Sequence, residues 1–226
     1  MGNNSRTLAR LLGALSFAAM AGAASPAAAG VISVINPSFE ILPVGGLPFA
    51  GCGPGCSYSM GAAIPGWTST NFQTGEFQPG VVAGNFAYFN SVPDGITVAY
   101  TNGGTISQTL SAIAQAGVTY MLQVDMGFRK DVPNPGSVAL DINGNIVFAT
   151  GVPLQGSGDW VTYTAFYTAS ALDAGQSISI ILDSQGVQGD WDNVRLSVPE
   201  PSTLALIGVA LLSLFGLGIM RRRADS

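Results

Sequence analysis

Val118-Thr119-Tyr120-Met121-Leu122-Gln123-Val124-Asp125-Met126 places Val118, Tyr120, Leu122, Val124 and Met126 on one face. Successive side chains of an extended chain point to opposite faces, so this period of two reads as a half-buried strand. Downstream, Val138-Ala139-Leu140-Asp141-Ile142 and Asn145-Ile146-Val147-Phe148 flank Asn143-Gly144. Asn-Gly tolerates the positive φ angles of a two-residue type I′ turn, so the pair reads as a hairpin. Further strands are expected over 160–167, 178–182 and 191–196, and upstream over 31–35, 86–89, 96–100 and 105–110. Gly, Pro, Asn and Asp separate them, and no body segment sustains a helical period. Many short strands at this spacing predict an all-β antiparallel sandwich.

Composition narrows the function. The chain has 226 residues and only 9% are charged. Arg6 and Arg10 lie at the start and Arg221, Arg222 and Arg223 at the end, which leaves Arg129, Lys130 and Arg195 for residues 30–197. Eleven acids share that body, giving it a net charge of −8. Phosphate backbones are bound by clustered Lys and Arg, so no nucleic-acid partner is expected. The chain has no His, which excludes Ser-His-Asp and Cys-His catalysis and His-ligated metals. A structural zinc site wants about four nitrogen or sulfur ligands, and the two cysteines cannot supply them.

Targeting signals bracket the body. Arg6 and Arg10 precede the apolar stretch 11–24, and Ala27-Ala28-Ala29 supplies an A-x-A cleavage site. Residues 1–29 are therefore expected to be a secretory signal peptide, with the mature chain starting at Gly30. Residues 204–220 carry no charge and run straight into the three arginines. At about 1.5 Å per residue they make roughly 25 Å, the short end of a transmembrane helix. The arginines belong on the cytoplasmic side.

Val198-Pro199-Glu200-Pro201-Ser202-Thr203, the apolar run and the arginine cluster together resemble the PEP-CTERM sorting tail, over residues 198–226. That resemblance implies an exosortase as partner, a Gram-negative host that makes exopolysaccharide, and a final location at the envelope surface or in the matrix. Asn36-Pro37-Ser38-Phe39-Glu40, Pro65-Gly66-Trp67, Ile106-Ser107-Gln108-Thr109-Leu110 before Gly117-Val118-Thr119-Tyr120, and Trp191-Asp192-Asn193-Val194-Arg195-Leu196 form a second ordered set. It resembles the galactose-binding-like jelly roll of carbohydrate-binding modules, over nearly all of 30–197. The resemblance implies two antiparallel sheets with first and last strands adjacent, and a structural Ca²⁺ held by Glu40 and Asp192. Calcium takes about six to eight oxygens, and turn carbonyls can complete such a shell. The alternative is that both acids cap turns or face solvent.

Cys52 and Cys56 flank Gly53-Pro54-Gly55, which can turn sharply enough for a disulfide in an oxidising compartment. Free thiols are the alternative. Tyr88, Phe128 and Arg129 are candidates for an exposed ligand platform, whereas Trp67 and Trp191 read as core. Asp183, Asp190 and Asp192 lie close in sequence, but no spacing defines an acid/base pair, so no catalytic residue is assigned. The expectation is a non-catalytic surface or matrix protein that binds polysaccharide, with a purely structural envelope component or a glycosidase as rivals.

Overall fold

The computed structural model describes residues 30–199, apart from residues 62, 83, 84 and 87. The expected signal peptide, Glu200, Pro201 and the apolar run lie outside the described residues. The described strands are β1 (Gly30–Ile32), β2 (Ser57–Tyr58), β3 (Thr68–Ser69), β4 (Thr74–Gln78), β5 (Val81–Val82), β6 (Asn85–Phe86), β7 (Val98–Thr101), β8 (Gly104–Ile113), β9 (Thr119–Gly127), β10 (Ser137–Ile142), β11 (Asn145–Phe148), β12 (Trp160–Thr168), β13 (Ser177–Ser184) and β14 (Gly189–Val198). One sheet runs β12-β9-β14-β7-β4-β2, with β1 added on β14. The other runs β11-β10-β13-β8-β3, and β5-β6 form a small ribbon. All pairings are antiparallel. The molecule is thus the jelly-roll-type sandwich, and its first and last strands are adjacent.

The alternating residues fill the space between the sheets. Leu122 and Val124 of β9 meet Leu140 and Ile142 of β10 and Ile178, Ile180 and Leu182 of β13, all fully buried. Each such side chain contributes about 1.5–3 kcal/mol by leaving water. Asn143 adopts φ 57° and Gly144 φ 79°, the backbone that the hairpin turn requires.

Three strand expectations shorten because other contacts take over from the ladder. Beyond Ile32, the amide of Ile35 donates to Gln108 Oε1 and its carbonyl accepts from Gln108 Nε2, so a side chain replaces a neighbouring strand. The amides of Ile96 and Thr97 donate to Glu40 Oε1, and β7 starts only at Val98. Phe89 leaves the ribbon and packs against Trp160, ring centroids 4.6 Å apart.

The registers give the sandwich two poles. Gly30 faces Val198, Ser177 faces Ile113, and Thr168 faces Thr119. The β1 start, the β14 end, the β8–β9 and β12–β13 connections and the β10–β11 hairpin, where Ile142 faces Ile178, therefore share one pole. The β7–β8, β9–β10 and β13–β14 connections lie at the other, where Gly189 faces Thr101 and Ser184 faces Gly104.

Candidate functional site

At the pole away from the termini, β2, β4 and β7 bring Tyr58, Phe77 and Tyr100 together around a second small core. Phe77 meets Tyr100 edge-on at 5.7 Å and Tyr88 edge-on at 6.3 Å. These four rings wall a cavity of about 230 Å³ whose polar lining comes from Asn102, Arg129 and Gln188. Tyr100 donates to the Ser59 carbonyl at 2.7 Å. Burial, then the neighbouring Tyr58 and Asp190, push its hydroxyl up to about 12, so it stays neutral.

Arg129 lies over the Tyr88 ring, 4.1 Å from its centroid. Its Nε and Nη2 donate to the two oxygens of Asp131 at 2.9 and 2.6 Å, and Nη1 donates to Gln188 Oε1 at 2.6 Å. Burial opposes its charge, but the bond to Asp131 and the field of Asp190 hold its pKa above the usual value. The same bond holds Asp131 below the usual carboxylate range. The charge is neutralised in place and the guanidinium is a rigid part of the wall.

Beneath this wall lies Asp190, at the start of β14 and 1% exposed. Its Oδ1 accepts from Gln188 Nε2 at 2.7 Å, and its Oδ2 has no hydrogen-bond partner among the described residues. Burial pushes its carboxyl up to about 7, against the pull of Arg129 and Gln188. Asp190 does not itself line the cavity.

Cys52 and Cys56 form a disulfide with Cα atoms 5.6 Å apart. Cys52 lines the cavity, and its carbonyl accepts from the Tyr88 hydroxyl. Tyr88 and Arg129 are thus brought together at one cavity. Phe128 is not: it is fully buried in the main core, so the expected exposed platform there is corrected. One residue beyond β9, it continues the inward row of Met126, its amide donates to the Asp159 carbonyl, and the chain turns away only after it. Trp67 and Trp191 are core residues, as expected.

Glu40 and Asp192 share no hydrogen bond, yet both hold the segment 94–97. Glu40 Oε1 accepts from Ile96 N at 2.8 Å and Thr97 N at 2.7 Å. Asp192 Oδ2 accepts from Asp94 N at 3.0 Å, and its Oδ1 from Asn193 N at 2.7 Å. Ser38 donates to Asp94 at 2.6 Å, and Val194 N donates to the Pro37 carbonyl, which locks the first motif onto the last strand. Asn36 and Phe39 take φ 50° and 56° to make this bend. Glu76 lies beside the cluster and accepts from Asn36 at 3.1 Å, while its buried Oε2 has no partner among the described residues. Burial, opposed by Asn36 and helped by Glu40, pushes Glu76 up to about 8; burial likewise raises Asp192 to about 8. Among the described residues no three Asp, Glu or Cys side chains converge tightly enough to hold a metal unaided. A cation here would have to be completed by turn carbonyls, with Glu76 Oε2 as an acceptor left unpartnered among the described residues.

The two-sheet sandwich thus carries an aromatic pocket at one pole, with a buried acid beneath its wall. By its match to the HpiC1 cyclase family model over residues 30–197, the chain belongs to the HpiC1-like family. Residues 197–223 match the PEP-CTERM protein-sorting motif, which marks an exported, exosortase-processed protein. A cyclase from Fischerella sp. TAU, solved with 4-(1H-indol-3-yl)butan-2-one, is 24% identical, with 76% of this chain and 100% of that chain covered and a TM-score of 0.58. The Stig cyclase Fisc of the same organism, solved with (3Z)-3-(1-methyl-2-pyrrolidinylidene)-3H-indole, is also 24% identical, with 76% and 98% covered and a TM-score of 0.58. A xylan-binding domain from Paenibacillus barcinonensis is 15% identical, with 61% and 88% covered and a TM-score of 0.40. No curated protein matches the chain. At these identities the likeness is one of fold.

Proposed function

We propose that the exported sandwich is a non-catalytic binding module that holds a sugar residue of an exopolysaccharide in the aromatic pocket. The pocket's make-up carries the reading: four aromatic rings, two amides and one neutralised guanidinium around about 230 Å³. Sugars are held by ring stacking and neutral hydrogen bonds, and concave, mostly apolar pockets with few polar groups are ordinary ligand sites. The net −8 of the body disfavours polyanions. A calcium ion beside Glu40, Glu76 and Asp192 belongs to the same proposal as a structural cofactor that neutralises the acids anchoring segment 94–97. The apolar run 204–220 is read as the span that holds the unprocessed protein in the membrane.

Affinity electrophoresis in exopolysaccharide purified from the native host tests the binding reading. Retardation of the wild type, lost in Tyr88→Ala and kept in Asp190→Asn, is expected. Equal mobility of wild type and Tyr88→Ala would remove it.

A second reading is favoured by one observation, the carboxyl of Asp190 pushed up to about 7 beneath the pocket. A carboxylic acid still protonated near neutral pH can act as a general acid, as in an acid-promoted cyclisation. Against it stands the seal between Asp190 and the cavity, made by Gln188 and Arg129. Turnover of indole-bearing substrates, abolished in Asp190→Asn, would establish that reading in place of the first.

A further inference from the structure

Both ends of the described chain leave the sandwich side by side. Gly30 pairs with Val198, so the segments before β1 and after β14 emerge from one pole. Only residues 199–203 separate Val198 from the apolar run that starts at Leu204. Six extended steps reach at most about 20 Å. While the tail is attached, this pole therefore lies within about 20 Å of the bilayer's hydrocarbon, and the headgroup layer occupies part of that distance.

The pole is built for such a neighbour. Residues 112–121 contain no charge, residues 167–178 contain only Asp173, and the β10–β11 hairpin at the same pole adds the half-buried Asp141, whose Oδ1 accepts from Gly144 N at 2.9 Å. Asp173 is 1% exposed, turned inward to accept from the Tyr167 hydroxyl at 2.8 Å and from Ser170 N and Oγ at 2.7 Å. Apolar side chains are left on the surface instead: Val31 is 90% exposed, Leu172 83% and Ile113 58%. Behind Ile113 a groove of about 270 Å³ is lined by Ile32, Ala112, Val118, Tyr120 and Val198. Charged Arg129, Lys130, Asp131 and Asp159 gather at the opposite pole. β14, with ten residues, separates the poles by roughly 33 Å at 3.3 Å per residue.

We propose that this pole, which carries no cation in these segments and only Asp141 as a half-exposed acid, is a membrane-docking surface. Val31, Ile113 and Leu172 enter the headgroup region of the lipid surface, and the aromatic pocket is thereby presented away from the bilayer. No Lys or Arg lies between residues 112 and 121 or 167 and 178, so zwitterionic lipid is sufficient and no anionic lipid is required. The proposal rests on the reading of 204–220 as a membrane span, and it is independent of what the pocket binds.

Depth-dependent tryptophan quenching tests it. Full-length protein is reconstituted in phosphatidylcholine vesicles, with and without bromine on the acyl chains, and recovered by flotation. Ile113→Trp and Leu172→Trp are compared with Val152→Trp, which sits at an exposed position towards the pocket pole, after subtraction of the wild-type signal. Quenching several-fold greater at positions 113 and 172 than at 152 is expected. Equal quenching at all three sites in floating protein overturns docking and leaves the span intact. Tryptophans at 113 and 172 that are shielded from aqueous quenchers but untouched by brominated lipid overturn it in favour of a protein occupant. Wild type that fails to float removes the span and the docking surface together, while leaving pocket binding unaffected.

Discussion

Replacing Asp190 by Asn should flatten the pH dependence of stability. Asp190 is fully buried, and its carboxyl is raised from the ordinary 3.8 to about 7, chiefly by burial, with Arg129 and the Gln188 hydrogen bond pulling the other way. Between those values the unfolded chain has released this proton and the native protein still binds it. Native protein then holds more protons, so stability falls as pH rises through the window and levels off above about 7. From pH 5 to pH 8 nearly two pKa units of that window are crossed, a loss of about 2.5 kcal/mol at 1.36 kcal/mol per unit. The asparagine side chain keeps the acceptor for Gln188 Nε2 and the shape of the neutral acid, but cannot ionise. Urea unfolding at both pH values measures the effect. With an m-value of about 2 kcal/mol/M, the midpoint of the wild type should drop by roughly 1 M more than that of Asp190→Asn. Glu76 and Asp192 also titrate upward, but Asp190 couples to Arg129 and Asp131 and not to them, so their contribution cancels in the difference. Identical pH slopes for the two proteins would refute a buried, protonated Asp190.

Chelation should lower the melting temperature by about 5–10 °C if calcium was present at a hundredfold excess over its Kd, because about 2.7 kcal/mol of native-state binding is lost. Glu40→Gln should be insensitive to the same chelator; a wild-type melting curve unchanged by chelator counts against the ion. Envelope protein treated with a thiol reagent before reduction should not be labelled at Cys52 or Cys56, and labelling there would mean that the pocket wall is not closed by a disulfide. Mass spectrometry of surface protein should find a C-terminus near Glu200, with the tail retained in the Pro199→Ala, Pro201→Ala double variant; Arg221 to Ser226 on the wild-type surface form would make the tail a permanent anchor.

The strands legible in the sequence are those with one wet face. β8, β9, β10 and β13 alternate because their outer faces are partly exposed, and the alternation is visible residue by residue. β4 carries no such signal, since Thr74, Gly75, Glu76 and Phe77 are all buried. A strand covered on both faces, containing a glutamate, reads as a loop. The same reason hides half of the pocket. Tyr88 and Arg129 stand out as an aromatic and a cation near strand ends, but Tyr58 and Phe77 sit on strands too short or too buried to register. Asp190 and Asp192 flank Trp191 in a closing strand whose first four residues are all buried. In a body of net charge −8 such acids look solvated, and only the covering segment 94–97 and the Gln188–Arg129 wall make them otherwise. Phe128 misleads for the converse reason, because the polar residues after it belong to the turn and not to the strand.

The arrangement of the termini explains how a sorted protein can lose its tail and keep its fold. β14 ends at Val198, and Val198, Ser197 and Leu196 pair with Gly30, Val31 and Ile32. Leu196 is fully buried, and Ile32 packs against the main core. A cut within β14 would unpair β1 and expose that corner of the core. Pro199 comes next and has no amide hydrogen to extend the ladder. The PEP strip therefore begins at the first residue outside the hydrogen-bonded sandwich, and cleavage near Glu200 breaks no ladder bond. The pairing of Gly30 with Val198 has a second consequence. The first residues after the expected signal cleavage site are themselves β1, so a signal peptide still attached would emerge next to the sorting tail at the same pole. Removing both segments frees that pole from its tethers without disturbing the pocket, which lies a full strand length away.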